Sequence, residues 1–218
     1  MKKLLWLMVL LAMGCEPASD PHPPVEQSSI LHISHRANGQ TLSLQPFVYQ
    51  TAANQDFSIS KVHYVLSKLK WTHQNGKVYE MNGPWFIDAL ANSDVYLPIP
   101  KLEAGQYQFE CTVGLDSSLN TSYYWDNLAG FVGMAWPQPM GGGYHFLKLE
   151  GQYRLSNQQT AGFAFHLGKS NNAIRHQTIL MEYQQGDTLS LQMQLERWFG
   201  PPVVWDFTQF PSHTMTND

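Results

Sequence analysis

Paired cysteines are missing: of 218 residues only Cys15 and Cys111 are cysteine. With Cys15 placed at the N-terminus, as argued below, no intrachain disulfide can form in the folded part, and no zinc site can rest on paired thiolates. Excess positive charge is missing too. Lys and Arg number 13 against 17 Asp and Glu, a formal charge of −4. Removing residues 1–14 takes away Lys2 and Lys3, which leaves 11 against 17 and a charge of −6. That balance argues against a nucleic-acid partner or an anionic membrane surface. There is no internal repeat, no pattern of a long amphipathic helix, no Gly-x-Ser-x-Gly elbow and no phosphate-cradling glycine loop. Serine-hydrolase and nucleotide chemistry therefore find no positive support.

What is present begins at the N-terminus. Lys2 and Lys3 precede an apolar run from Leu4 to Leu11, followed by Leu11-Ala12-Met13-Gly14-Cys15. A charged start, a short apolar core and a small-residue exit make a secretory signal too short to span a bilayer as a stable helix. Small residues before a cysteine resemble a lipobox, with Met13 bulkier than the usual middle residue. The expectation is a signal peptide over 1–14 and a diacylglyceryl Cys15 that anchors the chain in a bilayer. Glu16 rather than Asp after the cysteine points to the outer membrane of the bacterial cell envelope. Residues 15–27, rich in proline, read as a tether, and 28–218 as one domain with a sizeable core.

Short alternating segments fill that domain. Tyr107 to Val113 and Leu189 to Glu196 carry apolar groups at odd positions, so Cys111 faces a core. Further strand candidates are Ile30 to Arg36, Phe57 to Trp71, Lys77 to Met81, Val95 to Ile99, Tyr144 to Tyr153, Gly162 to Leu167 and Thr178 to Tyr183. Turns such as Asn38-Gly39, Asn75-Gly76 and Gly186-Asp187 separate them. The pattern predicts an all-β antiparallel sandwich, Ig-like or partly closed into a barrel. Residues 114–143 break the rhythm as one long loop of the kind that carries function.

Three histidines sit where a solvated reading is poor. His35 shares its face with Leu31 and Ile33 and should look inward. His145 shares parity with Leu147 and Leu149, but Tyr144 and Phe146 make the other face apolar as well. His166 ends a strand on the face of Gly162 and Ala164, whose small size leaves room beside the imidazole. Each alone reads as a buried histidine bonded to a carbonyl; together they invite a metal. The thioethers of Met134 and Met140 would suit Cu(I), although the histidines lie far apart and form no local ligand motif. The rings of Tyr123, Tyr124, Trp125, Phe131, Trp136 and Tyr144 either pack the long loop onto the sandwich or form a platform for stacking sugars. Asp116 and Asn120 read as turn caps, and Trp71-Thr72-His73 as an exposed hairpin end.

Four ordered segments carry a resemblance: Gly114-Leu115-Asp116-Ser117 with Asn120; Gly133-Met134-Ala135-Trp136; Gly143 through Gly151; and Phe165-His166-Leu167-Gly168. With Phe57 to Ser60 and Tyr64 to Ser67 upstream, they resemble the MbnP-like copper-binding proteins over roughly residues 30 to 180. The resemblance implies a secreted β-sandwich that binds one copper ion through two histidines and a kynurenine formed from tryptophan; the expected role is non-enzymatic, with a copper oxidase ranked third. In methanobactin-associated members a diheme peroxidase-like enzyme makes that oxidation. Mapped by motif, His166 is the first ligand, His35 the second, and Trp136 the residue for modification. The chain departs from the pattern at Pro137-Gln138-Pro139-Met140, where many relatives carry a second Trp, and at His145 within the Gly-Tyr motif, so His145 or Met140 could replace a ligand. The rival expectation is a cell-surface module that binds a glycan or a protein through its aromatic loop.

Overall fold

The computed structural model describes residues 27–169 and 174–215. The expected signal peptide, Cys15 and nearly all of the tether lie outside them. The described residues form an all-β sandwich in two sheets that do not close into a barrel.

The strands are β1 (Gln27–Ala37), β2 (Gln40–Thr41), β3 (Tyr49–Gln50), β4 (Asp56–His73), β5 (Val78–Met81), β6 (Trp85–Asp88), β7 (Asp94–Pro100), β8 (Gly105–Val113), β9 (His145–Arg154), β10 (Thr160–Gly168), β11 (Ile174–Tyr183), β12 (Thr188–Gln194) and β13 (His213–Met215). The smaller sheet runs β12-β1-β2, with β7 also on β1. The larger follows the pairings β11-β8-β4-β9-β10-β13, with β3, β5 and β6 on β4. Most pairs are antiparallel, as the hairpin turns predict, but β1–β12 and β10–β13 are parallel. No local turn signal specifies either pairing, because each joins segments distant in sequence. At Asn38-Gly39 both residues have positive φ (47° and 75°), which gives the β1–β2 hairpin its tight turn.

The alternation seen in the sequence sorts side chains as expected. Tyr107, Phe109, Cys111 and Val113 are buried between the sheets. Burial pushes the Cys111 thiol up to about 11, so it behaves as a small apolar group. Trp71-Thr72-His73 does end a hairpin, with β5 across the Asn75-Gly76 turn, but the expected exposure fails: Trp71 and His73 are buried, because β8 covers Trp71 with Phe109 and His73 with Tyr107.

Strand β4 organises the functional end of the molecule. Leu66 pairs with Val113 at the close of β8, and Tyr64 pairs with Leu147 near the start of β9. The chain thus leaves β4 and rejoins it two residues along. Residues 114–143 form an excursion closed at its base, where Gly114 N–H donates to the Val65 carbonyl. This loop has its own core of Val65, Leu115, Trp125, Phe131, Met134, Tyr144 and Phe146, separate from the inter-sheet core. It contains two single 3-10 turns, Val132–Met134 and Gln138–Met140.

Candidate metal centre

Pairing register decides which histidines can meet. Tyr64, Leu147 and Leu167 stand side by side on β4, β9 and β10, and the next row is His63, Lys148 and His166. Consecutive residues of a strand face opposite ways. The first row includes the buried Tyr64 and Leu147 of the inter-sheet core, so His166 projects from the other face of the sheet.

His35 belongs to the core side. It is 0 % exposed and has both ring nitrogens engaged: Nδ1–H donates to the Ser93 carbonyl at 2.9 Å, and the Tyr64 hydroxyl donates to Nε2 at 2.9 Å. Burial lowers its pKa, which keeps the ring neutral. The inward orientation agrees with the sequence pattern. The expected pairing of His35 with His166 does not occur, because Tyr64 holds His35 on the opposite face of the sheet.

His145 takes that place beside His166. The β9–β10 register shifts between Leu167 and Gly168, so Leu167 faces Leu147 while Gly168 faces His145. A bulge of this kind re-aims a side chain, and parity alone left the direction of His145 undecided. Its ring meets that of His166 edge to face, with centroids 5.3 Å apart, and packs against Trp136 at 4.5 Å. Trp136, 2 % exposed, is fixed three ways. Its backbone N–H donates to the Gly143 carbonyl, its indole Nε1–H donates to the Met140 carbonyl at 3.2 Å, and its ring lies over Gly168. A Cβ on Gly168 would fall 2.4 Å from Trp136 Cε3, so glycine at this position is required by close approach.

The protonation pattern of the pair follows from its partners. The Met134 carbonyl, 3.0 Å from His145 Nδ1, can only accept, so Nδ1 carries the proton and Nε2 the lone pair. That Nε2 is buried and has no hydrogen-bond partner. Burial, with Lys148 adding to it, pushes the pKa of His145 down to about 4, so the ring is neutral at ordinary pH. His166 Nε2 is 2.9 Å from Glu150 Oε1, and Lys61 Nζ bridges both oxygens of the same carboxylate at 2.9 and 3.0 Å. Burial pushes the Glu150 carboxyl up, but the bonds from Lys61 and His166 outweigh it and hold the group below its ordinary range.

Two imidazoles thus meet beside an indole, and one of them presents an unsatisfied buried lone pair. Leaving such an atom unpaired costs about 1–3 kcal/mol, a cost that a ligand accepting the lone pair would offset. Among the described residues no three His, Cys, Asp or Glu side chains cluster around a common point. The donor set therefore falls short of the four ligands of a closed zinc site. Met134 offers its carbonyl to His145 and buries its side chain in the loop core. Met140 contributes the carbonyl that holds Trp136.

The other aromatic rings of the loop pack rather than display. Trp125, Phe131, Trp136 and Tyr144 are buried, and only Tyr123 and Tyr124 of the six stand exposed. A stacking platform for sugars would thus lose four of its six rings. Asp116 caps its turn by accepting from the N–H groups of Ser118 and Leu119, as the sequence suggests; Asn120 instead ties the loop to its far end, its Oδ1 accepting from Tyr144 N–H. His32 pairs with Asp94, and His63 with Asp88.

The comparisons bear on this arrangement. The MbnP family model matches residues 26–216, which include both strands of the histidine pair and the whole loop. The chain belongs to the MbnP family. Among solved structures, MbnP from Methylosinus trichosporium is similar, with a TM-score of 0.53 and 11 % identity over 82 % of this chain and 79 % of that one. At that identity the likeness concerns the fold. A search of curated proteins finds no match.

Proposed function

We propose that this MbnP-family chain is an exported, lipid-anchored protein that binds one copper ion, as Cu(I), between His145 and His166, and serves copper acquisition, storage or transfer without catalysis. The observation that carries the reading is the orphaned Nε2 of His145, buried in a ring that packs edge to face on a second imidazole. Imidazole nitrogens suit copper, and low coordination by two such donors favours the reduced ion. Family membership supports the same assignment, since the segments that resemble copper-binding relatives supply both histidines and Trp136. Bound copper would supply a one-electron redox couple; the chain's own part is to hold two lone pairs in place and exclude water around them.

Trp136 packs against His145, where an oxidised indole would present a ketone and an aryl amine next to the pair. A diheme peroxidase-like partner would make that change. Cys15, with diacylglycerol attached, would hold the domain at the outer membrane through the proline-rich tether.

Anaerobic loading with Cu(I), followed by metal analysis, tests the reading. The unaltered protein is expected to retain one equivalent, His145→Ala and His166→Ala much less, and His35→Phe the full equivalent. Retention of copper by a His145→Ala/His166→Ala double variant would overturn it.

A further inference from the structure

Resting on the copper reading, we infer that Glu150 is a positioning residue: held by Lys61, it fixes the tautomer of His166 so that the pair offers two different nitrogens, Nε2 of His145 and Nδ1 of His166. The two rings are locked by different acceptors. The Met134 carbonyl accepts from Nδ1–H of His145, whereas the Glu150 carboxylate accepts from Nε2–H of His166 at 2.9 Å. A neutral imidazole carries one proton, so each bond leaves the lone pair on the other nitrogen.

Glu150 is itself immobilised. Lys61 Nζ bridges both of its oxygens, and Lys61 stands opposite Glu150 in the β4–β9 register while Ala164 faces it on β10. The register thus places Lys61, Glu150 and His166 as neighbours on one sheet face. Ala164 is too small to intrude on the contact. A carboxylate that accepts from a ligand histidine orients the ring and raises its basicity, and loss of such a partner typically weakens metal binding about 10–100-fold. A surface ion pair alone would do neither, since exposed pairs contribute little.

The experiment uses 15N-labelled protein and two readouts. In the metal-free protein, long-range 1H–15N spectra at mildly alkaline pH are expected to show His166 as a single tautomer protonated at Nε2, and His145 as one protonated at Nδ1. In Glu150→Ala, His166 is expected to exchange between tautomers while His145 stays as it is, and affinity in a Cu(I) competition assay should fall about 10–100-fold. Glu150→Gln, whose amide oxygen can still accept, is expected to restore the single tautomer and much of the affinity; it also serves if the alanine variant does not fold. A proton on Nδ1 of His166 in the unaltered protein, or unchanged tautomers and affinity in Glu150→Ala, would overturn the inference. If the tautomers are as expected and the unaltered protein binds no copper, the copper reading fails and the positioning role stands.

Discussion

Replacing Gly168 with alanine tests the packing that brings the loop to the sheet. The new Cβ would stand 2.4 Å from Trp136 Cε3 and 2.6 Å from Cζ3, against an optimal carbon–carbon separation of about 3.5–4.0 Å. More than 1 Å of overlap must be relieved. The φ of Gly168 lies outside the left-handed region, so alanine meets no backbone penalty and the whole cost arises at the ring. Trp136 cannot retreat easily, with His145 packed against it and its indole N–H on the Met140 carbonyl. Overpacking of this kind costs about 1–3 kcal/mol, and in a domain of this size each kcal/mol lowers Tm by roughly 2–4 °C. Urea unfolding of the metal-free protein, followed by circular dichroism, should be run on Gly168→Ala, Trp136→Leu and the double variant. In the Trp136→Leu background the added methyl should cost little or nothing, giving a coupling of about 1 kcal/mol or more. An equal cost of Gly168→Ala in both backgrounds would refute the contact.

The pKa of His145, moved from its ordinary 6.5 down to about 4, makes stability depend on pH. The unfolded chain takes up a proton near 6.5 that the native ring refuses, so this contribution is intact above pH 6.5 and is lost as pH falls toward 4. At 1.36 kcal/mol per pH unit the loss is at most about 3 kcal/mol, less whatever solvent screens; His145→Phe should flatten that slope in denaturation measured between pH 7 and 4. Tyr64→Phe removes the donor to His35 Nε2 and strands a buried acceptor, so chemical denaturation should show a loss of about 1–3 kcal/mol with copper stoichiometry unchanged. Asp94, held at about 2 by its bonds from Arg36 and His32, contributes stability that is present above its ordinary 3.8 and lost as pH falls through 2. Asp94→Asn should lower Tm at pH 7 and narrow the gap to the unaltered protein below pH 3.

How far the sequence was legible depended on the range of the determining contacts. The strands with clean alternation, such as Tyr107 to Val113, lie where the pattern puts them, because period-two burial is written locally. The parallel pairings of β1 with β12 and β10 with β13 join segments that no turn links, and the short strands at Gln40–Thr41, Tyr49–Gln50, Trp85–Asp88 and His213–Met215 are too brief for periodicity to mark. At the site, the parity of His35 correctly predicts an inward ring but cannot tell which side of the larger sheet that ring occupies. Register between β4, β9 and β10 decides this, and register is a long-range property. The bulge opposite Gly168 that turns His145 toward His166 has no sequence mark except the glycine. The Glu150–His166 contact joins diagonal neighbours of the antiparallel β9–β10 pair. It could be found only once the register was fixed.

Locating the metal tests the central claim most directly. A crystal of the Cu(I)-loaded protein, with anomalous difference maps recorded on either side of the copper edge, is expected to show one peak within bonding distance of His145 Nε2 and a nitrogen of His166, beside Trp136. A peak at His35, His32 or His63 with none between His145 and His166 would contradict the account.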